Sequence, residues 1–176
     1  MAFFKEELAK VKALVFDVDG VLSKATQVLT PTGETIRTSN LKDGFALVYA
    51  VRMGFPIGVI TGGNTVEVIK RCEMIGIKYI YAGSLRKLPA LHDFLEKNNL
   101  KAEDVMYMGD DLPDYPVMKT VGVPVCPLDA APEIKAISHY ISDKNGGEGC
   151  IRDVLEQVMR AQGTWMDPEK MDWNMF

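Results

Sequence analysis

The stretch that most constrains this chain is Lys12-Ala13-Leu14-Val15-Phe16-Asp17-Val18-Asp19-Gly20-Val21-Leu22. Its first half is an unbroken apolar run, the pattern of a strand buried on both faces in the middle of a parallel sheet. The run stops at two carboxylates one residue apart, followed by glycine. Asp17 then stands at the carboxyl end of the strand, the edge at which open α/β sheets bind ligands. Two acids crowded there repel each other and lose water as a site closes, so the arrangement calls for a compensating cation, most simply a hard divalent metal. Taken alone, Asp-Val-Asp-Gly also fits a plain turn, since Asp and Gly both favour turns.

Later segments alternate apolar runs with helical periods. Pro56-Ile57-Gly58-Val59-Ile60 ends in Thr61-Gly62-Gly63-Asn64 before a helix over Val66–Ile75. A hydroxyl and flexible backbone ahead of a helix N-terminus suit a phosphate oxygen, and equally a simple helix cap. A strand at Tyr79–Tyr81 leads to a helix over residues 85–98, with Lys87 in the first turn, where a cation opposes the helix dipole. On its own Lys87 reads as a surface lysine. A fourth strand, Val105–Met108, runs into Gly109-Asp110-Asp111-Leu112-Pro113-Asp114, a second acidic strand end. Val123–Cys126 and residues 139–141 read as two more strands, residues 131–136 and 150–162 as helices, and Gly146-Gly147-Glu148-Gly149 as part of a loop. His139 reads as a strand-end residue and His92 as a helix-surface one.

Two β-branched runs, residues 25–30 and 34–39 around Pro31-Thr32-Gly33, predict a hairpin over about residues 24–40. Such a hairpin is marginal alone and needs something to rest on. Asp43 is expected to cap the helix after it, and Gly54 to end that helix. The expectation is a three-layer α/β/α sandwich with a central parallel sheet, a single domain over residues 1–162, and a tail over 163–176 whose Trp, Met and Phe favour docking.

Composition excludes several function classes. A net charge of −4 with no basic stripe argues against nucleic acid as a partner. No apolar segment approaches the roughly 20 residues that span a bilayer. Residues 1–7 are acidic where a secretory signal would be basic, so a cytoplasmic protein is expected. Cys72, Cys126 and Cys150 lack CxxC spacing and read as reduced thiols.

In a parallel sheet, Asp17 and Asp19, Thr61, the turn before Lys87, and Asp110, Asp111 and Asp114 all gather at one edge. Carboxylates from two strands suit Mg²⁺, which takes a few carboxylates together with waters and phosphate oxygens. Thr61 and Lys87 would complete a cradle for an anion. Asp17 could then attack phosphorus, while Asp19 protonates the leaving alcohol and later activates water.

With the Asp-x-Asp motif at Asp17-Val18-Asp19, Thr61, Lys87 and Gly109-Asp110-Asp111-x-x-Asp114 in this order, the sequence closely resembles the haloacid dehalogenase superfamily of phosphatases. The resemblance implies that Asp17 is the nucleophile and Asp19 the acid/base, and that Thr61, Gly62 and Lys87 bind phosphate. It further implies that Asp17, the Asp19 carbonyl and Asp110 hold Mg²⁺, with Asp111 and Asp114 behind them and Asp114 orienting Lys87. Only the hairpin stands where many members insert a cap domain, so the chain looks capless. Through Asp43-Gly44, Arg71-Cys72-Glu73-x-x-Gly76-Ile77, and the Gly146–Gly149 loop with Arg152, it resembles the 3-deoxy-D-manno-octulosonate 8-phosphate phosphatases. That likeness implies hydrolysis of this sugar acid phosphate on the route to lipopolysaccharide, in a homotetramer whose hairpins pack together and whose active sites lie at subunit interfaces. Arg71 and the tail are the segments expected to reach across, Arg71 to the sugar acid's carboxylate.

Two positions depart from that family's pattern. Ser23-Lys24-Ala25 stands where Thr-Asp-Gly is usual, and Gly63 stands where Arg is frequent and where relatives acting on nine-carbon sugar acids carry Glu. Both are read as substrate-facing, which keeps a nine-carbon 9-phosphate substrate as the alternative. A non-catalytic oligomerisation module is the other, and the retained acids argue against it. A phosphomutase would need a cap to exclude water.

Overall fold

The computed structural model describes residues 4–64, 66–167 and 169. A short helix, α1 (Phe4–Leu8), leads into β1 (Ala13–Phe16). The hairpin strands β2 (Val28–Leu29) and β3 (Thr35–Ile36) follow, then α2 (Leu41–Arg52), β4 (Ile57–Ile60), α3 (Val66–Ile75) and β5 (Tyr79–Tyr81). The second half runs α4 (Lys87–Asn98), β6 (Val105–Met108), α5 (Tyr115–Met118), β7 (Val123–Cys126), α6 (Pro132–Ile137), β8 (Tyr140–Ile141) and α7 (Cys150–Ala161). Six strands form one sheet in the order β5-β4-β1-β6-β7-β8, and every pairing is parallel. β1 sits between β4 and β6, with Phe16 facing Val59 on one side and Met108 on the other.

The continuous apolar runs are explained by helices covering both faces. Leu14 and Phe16 join a core with Leu47, Ala50, Ile75, Val154 and Val158 from α2, α3 and α7. Ala13 and Val15 point the other way, into a core with Leu91, Phe94, Val117 and Ile134 from α4, α5 and α6. β1, β4, β6 and β7 are therefore buried on both faces, whereas the outer strand β5 is half-buried and Ile141 of β8 is exposed.

Three local expectations are revised. The helix after the hairpin starts earlier, capped by Asn40, whose side chain accepts from the Lys42 and Asp43 amides. Asp43 instead caps a distant helix: its carboxylate accepts from Gly149 N at 3.1 Å and Arg152 N at 2.7 Å, at the start of α7. A buried acid thus staples α2 to α7, and burial pushes its pKa up despite these bonds. Replacing it orphans two amide donors, so Asp43→Ala is expected to cost about 2 kcal/mol in urea denaturation. Stability within about 0.5 kcal/mol of the parent chain would show that the staple is idle.

The second revision is the extent of the hairpin, which forms where expected but with a shorter ladder than the two runs. It pairs over only Val28↔Ile36 and Leu29↔Thr35, and these apolar side chains are exposed. The third concerns the tail, whose described part docks on its own body. The Trp165 ring lies 5.1 Å from that of Tyr49, with the Arg152 guanidinium 5.3 Å from it. The Tyr49 hydroxyl donates to Thr164 O at 2.8 Å and accepts from Met166 N at 2.9 Å. The reach to a neighbour was expected of the whole tail, residues 163–176; residues 164–166 lie on their own chain, and residues 168 and 170–176 lie outside the described residues. Among the described residues no helix is long and apolar enough to cross a membrane, and the three cysteines are free and buried.

Candidate active site

Asp17 follows β1 directly, its amide bonded to Met108 O of β6 at 3.1 Å. The chain then turns sharply: Ser23 N donates to Val18 O and Gly20 N to Ser23 O, both at 2.9 Å. Gly20 has φ +87°, and a Cβ there would fall 1.9 Å from Asp110 Oδ2, so only glycine lets this loop lie against the second acidic strand end.

Lys87 opens α4 and is 5 % exposed. Its Nζ lies 2.8 Å from Asp17 Oδ1 and 2.6 Å from Asp114 Oδ1. These two carboxylates explain a cation at the unfavourable end of a helix, since burying the ammonium is tolerable only when it is paired. Burial works against the charge on Lys87, and the flanking acids outweigh it, holding its pKa above the usual value. Asp114, wholly buried, also accepts from the Tyr107 hydroxyl at 2.6 Å and the Asp110 amide at 3.1 Å. Asp111 accepts from Leu112 N, starting the turn that carries Asp114 into place.

The carboxylates are crowded. One ligand oxygen from each of Asp17, Asp110 and Asp114 lies within 4.8 Å of the others. Burial first, and then repulsion from Asp114, raises the Asp17 pKa to about 7, against the pull of Lys87. Burial and the charges of Asp17, Asp114 and Asp111 raise Asp110 to about 8. A single lysine does not neutralise this set. Asp114 is wholly buried and already accepts from Lys87, Tyr107 and the Asp110 amide, which makes Asp17 and Asp110 the carboxylates better suited to a hard dication.

Asp17, Asp19, Gly62, Lys87, Asp110, Asp111 and Asp114 line one pocket of about 350 Å³, with Gly63 and Leu85 at its side. Thr61, 4 % exposed, precedes Gly62 but does not itself line the pocket, and its hydroxyl accepts from Gly63 N at 3.1 Å. Arg71 is not in this pocket. It lines an adjoining cavity of about 240 Å³ with Arg37, Asp43, Gly44 and Glu67. Ser23, 3 % exposed, lines this adjoining cavity and not the catalytic pocket, and its hydroxyl sits 3.3 Å from Asp19 Oδ1. A larger cavity, about 860 Å³, lies at the opposite sheet edge around Lys12, Asp104 and Gln162, away from the acids.

Sequence reasoning missed three participants. Tyr107 is a phenol inside a fully buried strand, and its hydroxyl had to find a partner there; that was a usable signal. Arg37 and Gln27 come from the hairpin, and both reach Asp19. Nothing local marks them, because the contact depends on how the hairpin folds back.

Comparison with known proteins agrees with this geometry. The profile of the haloacid dehalogenase-like hydrolases matches residues 64–154. The 3-deoxy-D-manno-octulosonate 8-phosphate phosphatase KdsC of Escherichia coli (strain K12) is 37 % identical over 153 residues, covering 87 % of this chain and 81 % of the relative. The crystal structure of the phosphatase of that name from Yersinia pestis superposes with a TM-score of 0.89 at 32 % identity, covering 93 % of this chain and 88 % of the other. The enzyme of that name from Moraxella catarrhalis, solved in complex with magnesium ion, phosphate ion and KDO, superposes with a TM-score of 0.87 at 29 % identity, over 92 % of each chain. On the sheet order, the acid cluster around Lys87 and these likenesses together, the chain belongs to the haloacid dehalogenase-like hydrolases and, within them, to the 3-deoxy-D-manno-octulosonate 8-phosphate phosphatase family.

Proposed function

We propose that this chain hydrolyses 3-deoxy-D-manno-octulosonate 8-phosphate to the free sugar acid and phosphate, with Mg²⁺, through an aspartyl phosphate on Asp17. The observation that carries the reading is Asp17 itself, buried at a strand end between Lys87 and a second carboxylate cluster. Asp17 and Asp110, with the Asp19 carbonyl, would hold the metal, which when bound supplies the positive charge that lets a carboxylate approach a phosphate. Asp17 attacks phosphorus. Thr61, Gly62 and Lys87 bind the phosphoryl oxygens, with Asp114 holding Lys87 and Tyr107 holding Asp114. Asp19 gives a proton to the departing alcohol, then takes one from the water that attacks the aspartyl phosphate, so the carboxyl ends as it began.

Arg71 is assigned to the sugar acid's carboxylate. It is half-buried beside the catalytic pocket and has no hydrogen bond or ion pair among the described residues. A guanidinium so placed suits a two-pronged carboxylate. The exposed apolar hairpin residues Val28, Leu29 and Ile36 support assembly through hairpins, as a homotetramer with active sites at its interfaces. The three reduced thiols suit a cytoplasmic setting.

Phosphate release with Mg²⁺ from a panel of the octulosonate 8-phosphate, two nonulosonate 9-phosphates and ordinary hexose phosphates tests the substrate. A preference of at least about 10-fold in kcat/KM for the eight-carbon acid is expected, a difference of about 1.4 kcal/mol in transition-state binding. Preference for a nine-carbon acid would reassign the substrate, and silence across the panel would overturn the enzymatic reading.

A further inference from the structure

The Asp19 carboxylate is held by the hairpin. Arg37, just after β3, places Nε 2.6 Å from Asp19 Oδ1 and Nη2 2.9 Å from Oδ2, a two-pronged pair. Gln27, on the outgoing limb, donates to Oδ1 at 2.7 Å, and the Ser23 hydroxyl lies 3.3 Å from the same oxygen. Both limbs of the hairpin therefore converge on one carboxylate. The arginine side chain is only 15 % exposed, so this is a docked contact and not a loose surface pair.

The two oxygens are treated differently. Oδ1 meets three side chains, while among the described residues Oδ2 meets only the Arg37 Nη2. Asp19 and Gly63 both line the catalytic pocket, and Oδ2 is the Asp19 oxygen on the Gly63 side: an added Cβ at Gly63 would stand 3.7 Å from it and 3.1 Å from the Arg37 Nη2. A fork of fixed geometry sets the plane of a carboxylate as a lysine cannot. The absent side chain at Gly63 leaves the room in which the guanidinium lies.

We propose that Arg37, aided by Gln27, is a positioning residue for proton transfer: it turns Asp19 so that Oδ2 faces the leaving oxygen and afterwards the attacking water. The proposal rests on the reading of Asp19 as acid/base. It gives the hairpin a catalytic task within its own chain, separate from any role in assembly.

The test compares Arg37→Ala, Arg37→Lys and Gln27→Ala with Asp19→Asn and the double variant Arg37→Ala/Asp19→Asn, in the full chain with saturating Mg²⁺. Two substrates are used, 3-deoxy-D-manno-octulosonate 8-phosphate and p-nitrophenyl phosphate. Arg37→Ala is expected to lower kcat on the sugar phosphate by about 10- to 100-fold, part of the general acid/base contribution, with KM changed less than about 3-fold. With p-nitrophenyl phosphate the first turnover stays fast, because nitrophenolate leaves without a proton. Later turnovers slow, because attack by water still needs Asp19. Arg37→Lys recovers part of the rate, Gln27→Ala loses less than Arg37→Ala, and the double variant is no slower than Asp19→Asn.

A raised KM with kcat unchanged would overturn the proposal by making Arg37 a substrate anchor. Losses that multiply in the double variant would overturn it by making Arg37 act independently of Asp19. If Asp19→Asn is impaired and Arg37→Ala behaves as the parent, the proposal alone fails. If Asp19→Asn itself turns over normally, the acid/base reading fails and takes the proposal with it.

Discussion

Asp17→Asn is expected to lower kcat by about 10⁴-fold or more while leaving the fold intact, because it removes the atom that attacks phosphorus and replaces it with an amide of the same shape. The substitution is well matched to the site. Lys87 keeps an acceptor at the Asp17 Oδ1 position, 2.8 Å away, and still has Asp114 at 2.6 Å, so the buried ammonium is not stranded. Removing a carboxylate whose pKa stands at about 7 also relieves repulsion with Asp114 and Asp110, so thermal stability at pH 8 should hold or rise. Phosphate release, checked beside a thermal melt, separates the two effects. Turnover within about 10-fold of the parent in a well-folded Asp17→Asn protein would remove Asp17 as nucleophile.

How much of this was legible in the residues themselves depended on the range of the interaction. The sheet could be read because burial on both faces imposes a purely local signal, and the apolar runs at Ala13–Phe16, Ile57–Ile60 and Val105–Met108 are strands 0–2 % exposed apart from Gly58. The gathering of Asp17, Lys87 and Asp110 at one edge followed from topology, since parallel strands align their carboxyl ends. What could not be read were pairings set by tertiary approach. Asp43 looked like a cap for the helix it belongs to, yet its carboxylate binds amides 106 and 109 residues away. Lys87 looked like a surface residue until two other strand ends supplied its counter-charges. Arg37 sat in a β-branched run as an ordinary strand residue, because its meaning depends on the hairpin folding over Asp19, 18 residues back.

The acid cluster also has a signature that does not depend on turnover. Asp17 at about 7 and Asp110 at about 8 both stand above the ordinary 3.8. Between pH 4 and 8 the folded chain therefore binds more protons at this pair than the unfolded chain does. Stability from the pair is fully present below pH 3.8 and is lost as pH rises through 7 and 8. The two carboxylates titrate as a unit and face Asp114, Asp111 and Lys87, so the loss belongs to the cluster, on the order of a few kcal/mol. In EDTA-treated protein, melting temperature should fall from pH 5.5 to 8.5 by several degrees more in the parent than in Asp110→Asn. The variant should overtake the parent at the alkaline end. Mg²⁺ must displace these protons to bind, so its stabilisation should be small at pH 5.5 and large at pH 8.5, about 2.7 kcal/mol at a hundredfold excess over Kd. Parent and Asp110→Asn falling in parallel, or equal Mg²⁺ shifts at both pH values, would mean that Asp17 and Asp110 do not form the metal site. The expected divergence would tie the low stability of the bare cluster at alkaline pH to its capacity for metal: the repulsion that costs the fold stability is what a dication relieves on binding.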